Sequence, residues 1–171
     1  MTVPELVVLV DDAGAPVGTH PKATVHHADT PLHLAFSCHV YNEAGLVLVT
    51  RRSLVKATWP GVWTNSFCGH PGPGEDFESA ITRRAVDELG LTVTAIQSVL
   101  PDFRYRAVDA SGVVENEICP VFTAVAVGDP KPAPSEVCEW AWVDPVALRA
   151  SVSGAPFAFS PWLVLQLQEW Q

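Results

Sequence analysis

The sequence predicts an α+β fold, a mixed β-sheet sandwich flanked by a few helices. Three observations point there. Short runs of apolar and β-branched residues bounded by turn formers recur along the chain, as strands require. One segment, residues 76–89, carries a helical repeat instead. Strands and helices do not alternate regularly, as they would around a sheet built from βαβ units.

The elements follow in order. Residues 6–10 (Leu-Val-Val-Leu-Val) read as a strand closed by a turn over 11–14. Residues 34–41 and 46–50 read as a hairpin around 42–45, and 62–67 as a further strand. Within 76–89, Phe77, Ile81, Ala85 and Leu89 recur every four positions, and Gly90 stands where a helix end favours a left-handed residue. Residues 114–127 are β-rich, and Pro120 among them demands a sheet edge or bulge because it has no N–H for a ladder. The Pro-rich stretch 127–135 reads as a loop, since strand-like sequence resumes at 141–143. Ser160 and Pro161 suit the N-cap and first turn of a final helix.

A chain of 171 residues fits one domain, expected to span 1–171. At that size a fold buries roughly two-thirds of its unfolded surface and needs no staples. No apolar run nears the roughly 18 residues of a membrane span, and no basic-then-apolar leader opens the chain. Cys38, Cys68, Cys119 and Cys138 form no C-x-x-C pair, so free thiols and a cytoplasmic location are expected. The net charge of −9 argues against nucleic acid as a main partner. A small anionic ligand remains open, because it responds to a local cluster of Lys and Arg.

Four signals carry chemistry. The first runs from Gly69 through Glu75 to Arg83-Arg84-Ala85-Val86-Asp87-Glu88-Leu89-Gly90-Leu91. It resembles the Nudix box, a loop–helix–loop that holds divalent metal against a diphosphate. Arg84 and Asp87 stand where hydrolases of that family usually carry Glu, so the carboxylate set for hydrolysis is depleted. Arg84 and Glu88 are four apart and share a helix face. They are either an ion pair on a solvated face or a phosphate contact beside a metal ligand. The second signal is Cys68-Gly69-His70, where Cys68 is either an inert packed thiol or a functional one placed against the box. The third is Glu115-Asn116-Glu117, whose two carboxylates a strand sends to one face. That face is either solvated or bound to a cation, since adjacent like charges are otherwise costly. The fourth is His26, His33 and His70, each alone a plausible surface or core residue. Together with two Glu they would suit a divalent metal such as Mn²⁺, Zn²⁺ or Mg²⁺.

Beyond the box, the strings Ala28-Asp29-Thr30-Pro31-Leu32-His33-Leu34-Ala35-Phe36-Ser37, Trp59 through His70, Pro101-Asp102-Phe103-Arg104-Tyr105-Arg106 and Glu115-Asn116-Glu117 resemble type I isopentenyl-diphosphate isomerases. The similarity runs roughly from Leu6 to Trp162. It implies a Nudix-like sandwich that isomerises a small prenyl diphosphate and does not hydrolyse it. It also implies roles. Cys68 and Glu117 are the acid/base pair, assisted by Tyr105. His26, His33, His70, Glu115 and Glu117 hold one divalent metal, Mn²⁺ before Zn²⁺ or Mg²⁺. Glu88 helps place a Mg²⁺ on the diphosphate. Lys22, Arg52, Lys56 and Arg84 contact the diphosphate, and Trp162 lies against the reacting carbons. No nucleic acid, membrane or flavin is expected to take part, and a monomer is expected. Two rivals stay open: a Nudix hydrolase, and a non-catalytic Nudix-like binding domain.

Overall fold

Alternation along two central strands organises the core. The structure, a computed structural model, describes residues 4–170. In chain order the strands are β1 (Leu6–Val10), β2 (Pro16–Pro21), β3 (His33–Leu34), β4 (Phe36–Tyr41), β5 (Val47–Arg52), β6 (Trp63–Thr64), β7 (Phe67–Gly69), β8 (Thr92–Leu100), β9 (Arg104–Val108), β10 (Val114–Ile118), β11 (Val121–Val127) and β12 (Val137–Val143). The helices are α1 (Lys22–Val25), α2 (Phe77–Leu89), α3 (Pro145–Gly154) and α4 (Pro161–Glu169). One sheet has the order β2-β1-β3-β10-β9. The other runs β12-β5-β4-β11-β8, with β6 on β5 and β7 on β4.

On β4, Phe36, Cys38 and Val40 face one way and join Leu48 of β5 beneath α2. Ile81, Ala85 and Leu89 supply the helix side of that layer. Burying each large aliphatic side chain here stabilises by about 1.5–3 kcal/mol. Val47 and Val49 of β5 point oppositely, onto Leu148 and Val152 of α3 and Leu163 of α4. The period-2 geometry of strands produces this two-sided core. Helix α2 starts at Asp76, whose carboxylate accepts from Ser79 N at 2.8 Å. It ends at Gly90, left-handed at φ 55°. The expected Ser160 cap of α4 is also present.

Several expectations need correction. Residues 34–41 are not one strand: β3 belongs to the five-stranded sheet and β4 to the other, with the chain crossing at Ala35. The expected hairpin closes only at Tyr41–Val47. Beyond it β4 and β5 diverge, because β7 and β6 take their facing edges. The single strand expected at 62–67 is these two short strands, broken at Asn65-Ser66. Pro120 marks neither an edge nor a bulge but the crossover between β10 and β11, which lie in different sheets. The strand expected at 141–143 is the longer β12. Strands β2, β8 and β9 and helix α3 lacked a pattern strong enough to predict.

Candidate functional site

Register places the first functional row. Glu117 of β10 pairs in parallel with His33 of β3 and in antiparallel with Tyr105 of β9. Three neighbouring strands thus present His33, Glu117 and Tyr105 side by side. Two further imidazoles arrive from outside this sheet: His26 caps α1 and His70 follows β7. His70 Nε2 lies 3.0 Å from Glu117 Oε1, His33 Nε2 3.3 Å and His26 Nε2 3.8 Å. One ligand atom from each of the four residues lies within 4.8 Å of all the others.

Glu115 and Glu117 are only 7% and 4% exposed, which excludes a solvated strand face. Burial alone would raise the pKa of Glu117, but the surrounding imidazoles outweigh it and hold the carboxyl well below its ordinary range. Burial would likewise lower His26, yet Glu115 and Glu117 outweigh it and raise the imidazole to about 9. For His70 burial prevails and the pKa falls.

The fit to a metal rests on unpartnered nitrogen. His33 Nδ1 lies 2.9 Å from the Pro31 carbonyl, which only accepts, so Nδ1 carries the hydrogen and Nε2 offers a lone pair. His26 Nε2, His33 Nε2 and His70 Nδ1 are buried without a hydrogen-bond partner. The first two come close to carboxylate oxygens without the alignment of a hydrogen bond. His26 Nε2 and His33 Nε2 thus face Glu117 unpartnered beside His70 Nε2, which is hydrogen-bonded to it at 3.0 Å, and three imidazoles around one carboxylate suit a divalent cation. Glu115 stands beside this group of four and not in it. Its carboxylate meets His26 Nε2 at 3.0 Å and accepts from Thr58 Oγ1 at 3.1 Å.

A cavity of about 220 Å³ opens on this centre. Cys68, Tyr105, Glu117 and Trp162 line it together. Tyr105 donates to Glu117 Oε2 at 3.0 Å. Burial pushes the Cys68 thiol up to about 12, with Ser37 and Asn65 pulling the other way, so the sulfur is protonated at neutral pH. Burial also raises Tyr105 well above its ordinary value. Gly69, between Cys68 and His70, admits no side chain: a Cβ there would lie 2.8 Å from Phe36 and 2.9 Å from Arg84.

Lys22, Arg52, Lys56, Arg84 and Glu88 line the same cavity. Lys22 Nζ bonds Glu5 at 2.9 Å, Lys56 pairs with Glu136, and Arg84 pairs with Glu88. The i,i+4 pair is therefore real but not solvated, since burial raises the pKa of Glu88 against the pull of Arg84. Arg84 Nε is buried without a partner. Arg52 donates to the carbonyls of Thr58 and Trp59, and its guanidinium lies 5.3 Å from the Trp162 ring centroid. Trp59 itself sits at φ 43°, a strained value for a side-chain-bearing residue, secured by its N–H to Asp109 at 2.8 Å.

Every site residue expected from the sequence except His33 lines this one cavity, and His33 lies directly behind Glu117. Sequence reasoning missed Glu136, Asn65, Ser37 and Gln166. Ser37 was visible only as a lone hydroxyl in an apolar strand, and Gln166 as a polar residue one turn after Trp162. Glu136 carried no signal. The box residue Glu75 is engaged by Gly72 N and by Arg83, all at 2.8 Å, in a loop-closing role.

The chain matches the NUDIX domain over residues 31–163. It is similar to the isopentenyl-diphosphate Delta-isomerase of Clavibacter sepedonicus, 65% identical over 163 residues that cover 95% of this chain and 86% of that one. It is also similar to the protein of the same name from Paenarthrobacter aurescens (strain TC1), 60% identical, covering 99% and 92%. Among solved structures, DR0079 from Deinococcus radiodurans superposes with a TM-score of 0.75 at 18% identity, covering 97% and 99%. A MutT protein from Methanosarcina mazei Go1 gives 0.61 at 20% identity, covering 82% and 93%. These distant likenesses show the fold, and the close ones the family: the chain belongs to the isopentenyl-diphosphate Delta-isomerases of the NUDIX superfamily.

Proposed function

We propose that the chain interconverts isopentenyl and dimethylallyl diphosphate by proton addition and removal, with Cys68 and Glu117 as the acid/base pair and Tyr105 assisting. One observation carries this reading: a protonated thiol, a phenol hydrogen-bonded to a carboxylate, and an indole line one cavity with cations at its rim.

The chemistry needs these groups together. An alkene is a feeble base, so its acid must lie against it in a site shielded from water. One group gives a proton to a terminal carbon, and the π electrons form the new C–H bond. A tertiary carbocation results. The other group removes a proton two carbons away, and the electrons of that C–H bond become the new double bond. One proton enters and one leaves, so no oxidant, reductant or flavin is required. The π face of Trp162 stabilises the desolvated cation by roughly 2 kcal/mol.

His26, His33, His70 and Glu117, with Glu115 beside them, would hold a divalent metal, Mn²⁺ before Zn²⁺ or Mg²⁺. Bound there, it lowers the basicity of the carboxylate and keeps it in place. Lys22, Arg52, Lys56 and Arg84 would engage the diphosphate, with Glu88 supporting its Mg²⁺. The unpartnered Arg84 Nε supports that role. The five-carbon tail offers only about 0.8 kcal/mol per buried methylene, so the anionic end must supply the grip. Four free thiols support a cytoplasmic location. Among the described residues no helix is long and apolar enough to cross a membrane.

Hydrolysis is disfavoured because Arg84 stands where hydrolases usually carry Glu and Asp87 replaces another, which depletes the carboxylate set that hydrolysis needs. The deciding experiment is proton NMR of isopentenyl diphosphate with enzyme and Mg²⁺ in deuterated water. Reversible isomerisation with solvent deuterium in the product and no phosphate release is expected. Phosphate release without isomerisation would refute the reading.

A further inference from the structure

We infer that Asn65 is a positioning residue whose single carbonyl oxygen holds the Cys68 thiol and the Trp162 indole in one fixed arrangement. The inference rests on the acid/base reading above and adds a residue to it.

Asn65 is fully buried at the break between β6 and β7. Its Nδ2 donates to the Cys38 carbonyl at 3.1 Å and the Phe67 carbonyl at 2.8 Å. Both partners only accept, so the amide cannot be turned over, and Oδ1 must face the other way. There it accepts from Trp162 Nε1 at 3.0 Å, a group that only donates, and from Thr64 Oγ1 at 2.9 Å. Cys68 Sγ lies 3.4 Å from the same oxygen, which directs the S–H toward it.

The sulfur is held from a second side. Ser37 Oγ lies 3.2 Å from Cys68 Sγ, across the β4–β7 pair. Ser37 accepts from Gln166 Nε2 at 2.8 Å, which leaves its own hydrogen for a sulfur, Cys68 Sγ at 3.2 Å being nearer than Cys119 Sγ at 3.4 Å. Trp162 and Gln166 are four apart on α4, so one face of that helix delivers both contacts. A thiol on a short side chain has little else to fix its direction, and an indole in an apolar cluster could slide in its plane. Bonding both to one locked amide sets the distance between proton donor and π face. An error of about 1 Å in such an arrangement can cost on the order of a hundredfold in rate.

The test compares Asn65→Asp, which keeps an oxygen acceptor at this point with its other oxygen protonated toward the Cys38 and Phe67 carbonyls, with Asn65→Ala, which removes it. Each is measured per folded molecule with thermal melts alongside. Expected is a kcat loss of tenfold or more in Asn65→Ala with KM within about threefold, and partial rescue in Asn65→Asp. Trp162→Phe, which removes the indole N–H from this bond and weakens the π face in either background, should cost less in the Asn65→Ala background than in the native chain. Equal kcat in the Ala and Asp variants, additive losses with Trp162→Phe, or failure of both Asn65 variants to fold would assign Asn65 to folding alone and overturn the inference. Cys68→Ala run in parallel separates the two claims: full turnover there would overturn the acid/base reading, whereas lost turnover with unimpaired Asn65 variants would overturn only the positioning role.

Discussion

The two ends of the cavity are built on opposite principles. At the inner end, strand pairing brings His33, Glu117 and Tyr105 into one row, and the buried Nε2 atoms of His26 and His33 face the carboxylates without hydrogen-bond partners. At the rim, the cations are largely satisfied in advance: Lys22 by Glu5, Lys56 by Glu136, Arg84 by Glu88. The inner end holds unsatisfied bonding capacity on His33 of β3 and on His26 at the end of α1. The rim, on α1, α2 and the strained loop around Trp59, stores charge in pairs that an incoming anion must share or displace. On the proposed mechanism, chemistry depends on the geometry of the first region and affinity on the charge of the second.

The largest expected effect breaks the inner end. Cys68→Ala and Glu117→Gln should each lower kcat by roughly 10²-fold or more, with substrate still bound. Steady-state kinetics beside equilibrium binding check this, and near-native kcat in Cys68→Ala would remove the thiol from the mechanism. Next, a His26→Ala/His70→Ala double variant should lose divalent metal through gel filtration while the native chain retains it. Undiminished metal by elemental analysis would refute the centre.

Trp162 lies where the two ends meet. Trp162→Leu keeps an apolar wall but loses the π face, so kcat should fall roughly tenfold or more with ground-state binding little changed. Trp162→Phe should retain more rate than Leu. Equal kcat in the two variants at equal thermal stability would eliminate the cation–π contribution. At the rim, Lys56→Ala should chiefly raise KM, roughly fivefold, and leaves Glu136 with only Arg84 at 3.9 Å. A kcat loss at unchanged KM would move Lys56 to the chemical step.

The last effect lies behind the site and concerns stability. Burial lowers His39 from its ordinary 6.5 to about 4, against the bond to Gln166 at 2.9 Å. The folded-state pKa lies below the unfolded one. Its stabilising contribution is therefore complete above pH 6.5 and is lost as pH falls toward 4, to a limit on the order of 3 kcal/mol. His39→Gln should flatten the decline of stability across that window in chemical denaturation. An unchanged slope would show that His39 does not govern it.

Most residues proposed for the chemistry were legible before any fold was known, because they sit in contiguous strings. Cys68, His70, Arg84 and Glu88 lie within one motif, and Glu115 and Glu117 within three residues. Helix α2 was legible too, since its periodicity, Asp76 cap and Gly90 stop are local. The hairpin at 42–45 was misjudged for the opposite reason. Its turn is local, but whether β4 and β5 remain partners depends on β6 and β7 competing for their edges. Pro120 likewise announced a missing donor without saying which sheet would continue.

By itself the sequence singled out the residues proposed to react, through short strings and the family resemblance they carry, and it marked helix α2, since caps, periodicity and motif spacing act over a few residues. Only the tertiary structure decided which groups touch. The parallel pairing of β3 with β10 sets His33 against Glu117. The crossovers at Ala35 and Pro120 divide the sheets around the cavity. The pairing of Lys56 with Glu136, and the meeting of Cys68 and Trp162 on Asn65, join segments remote in the chain. Such contacts arise from register and packing, and a buried polar atom takes whatever partner the fold brings to it.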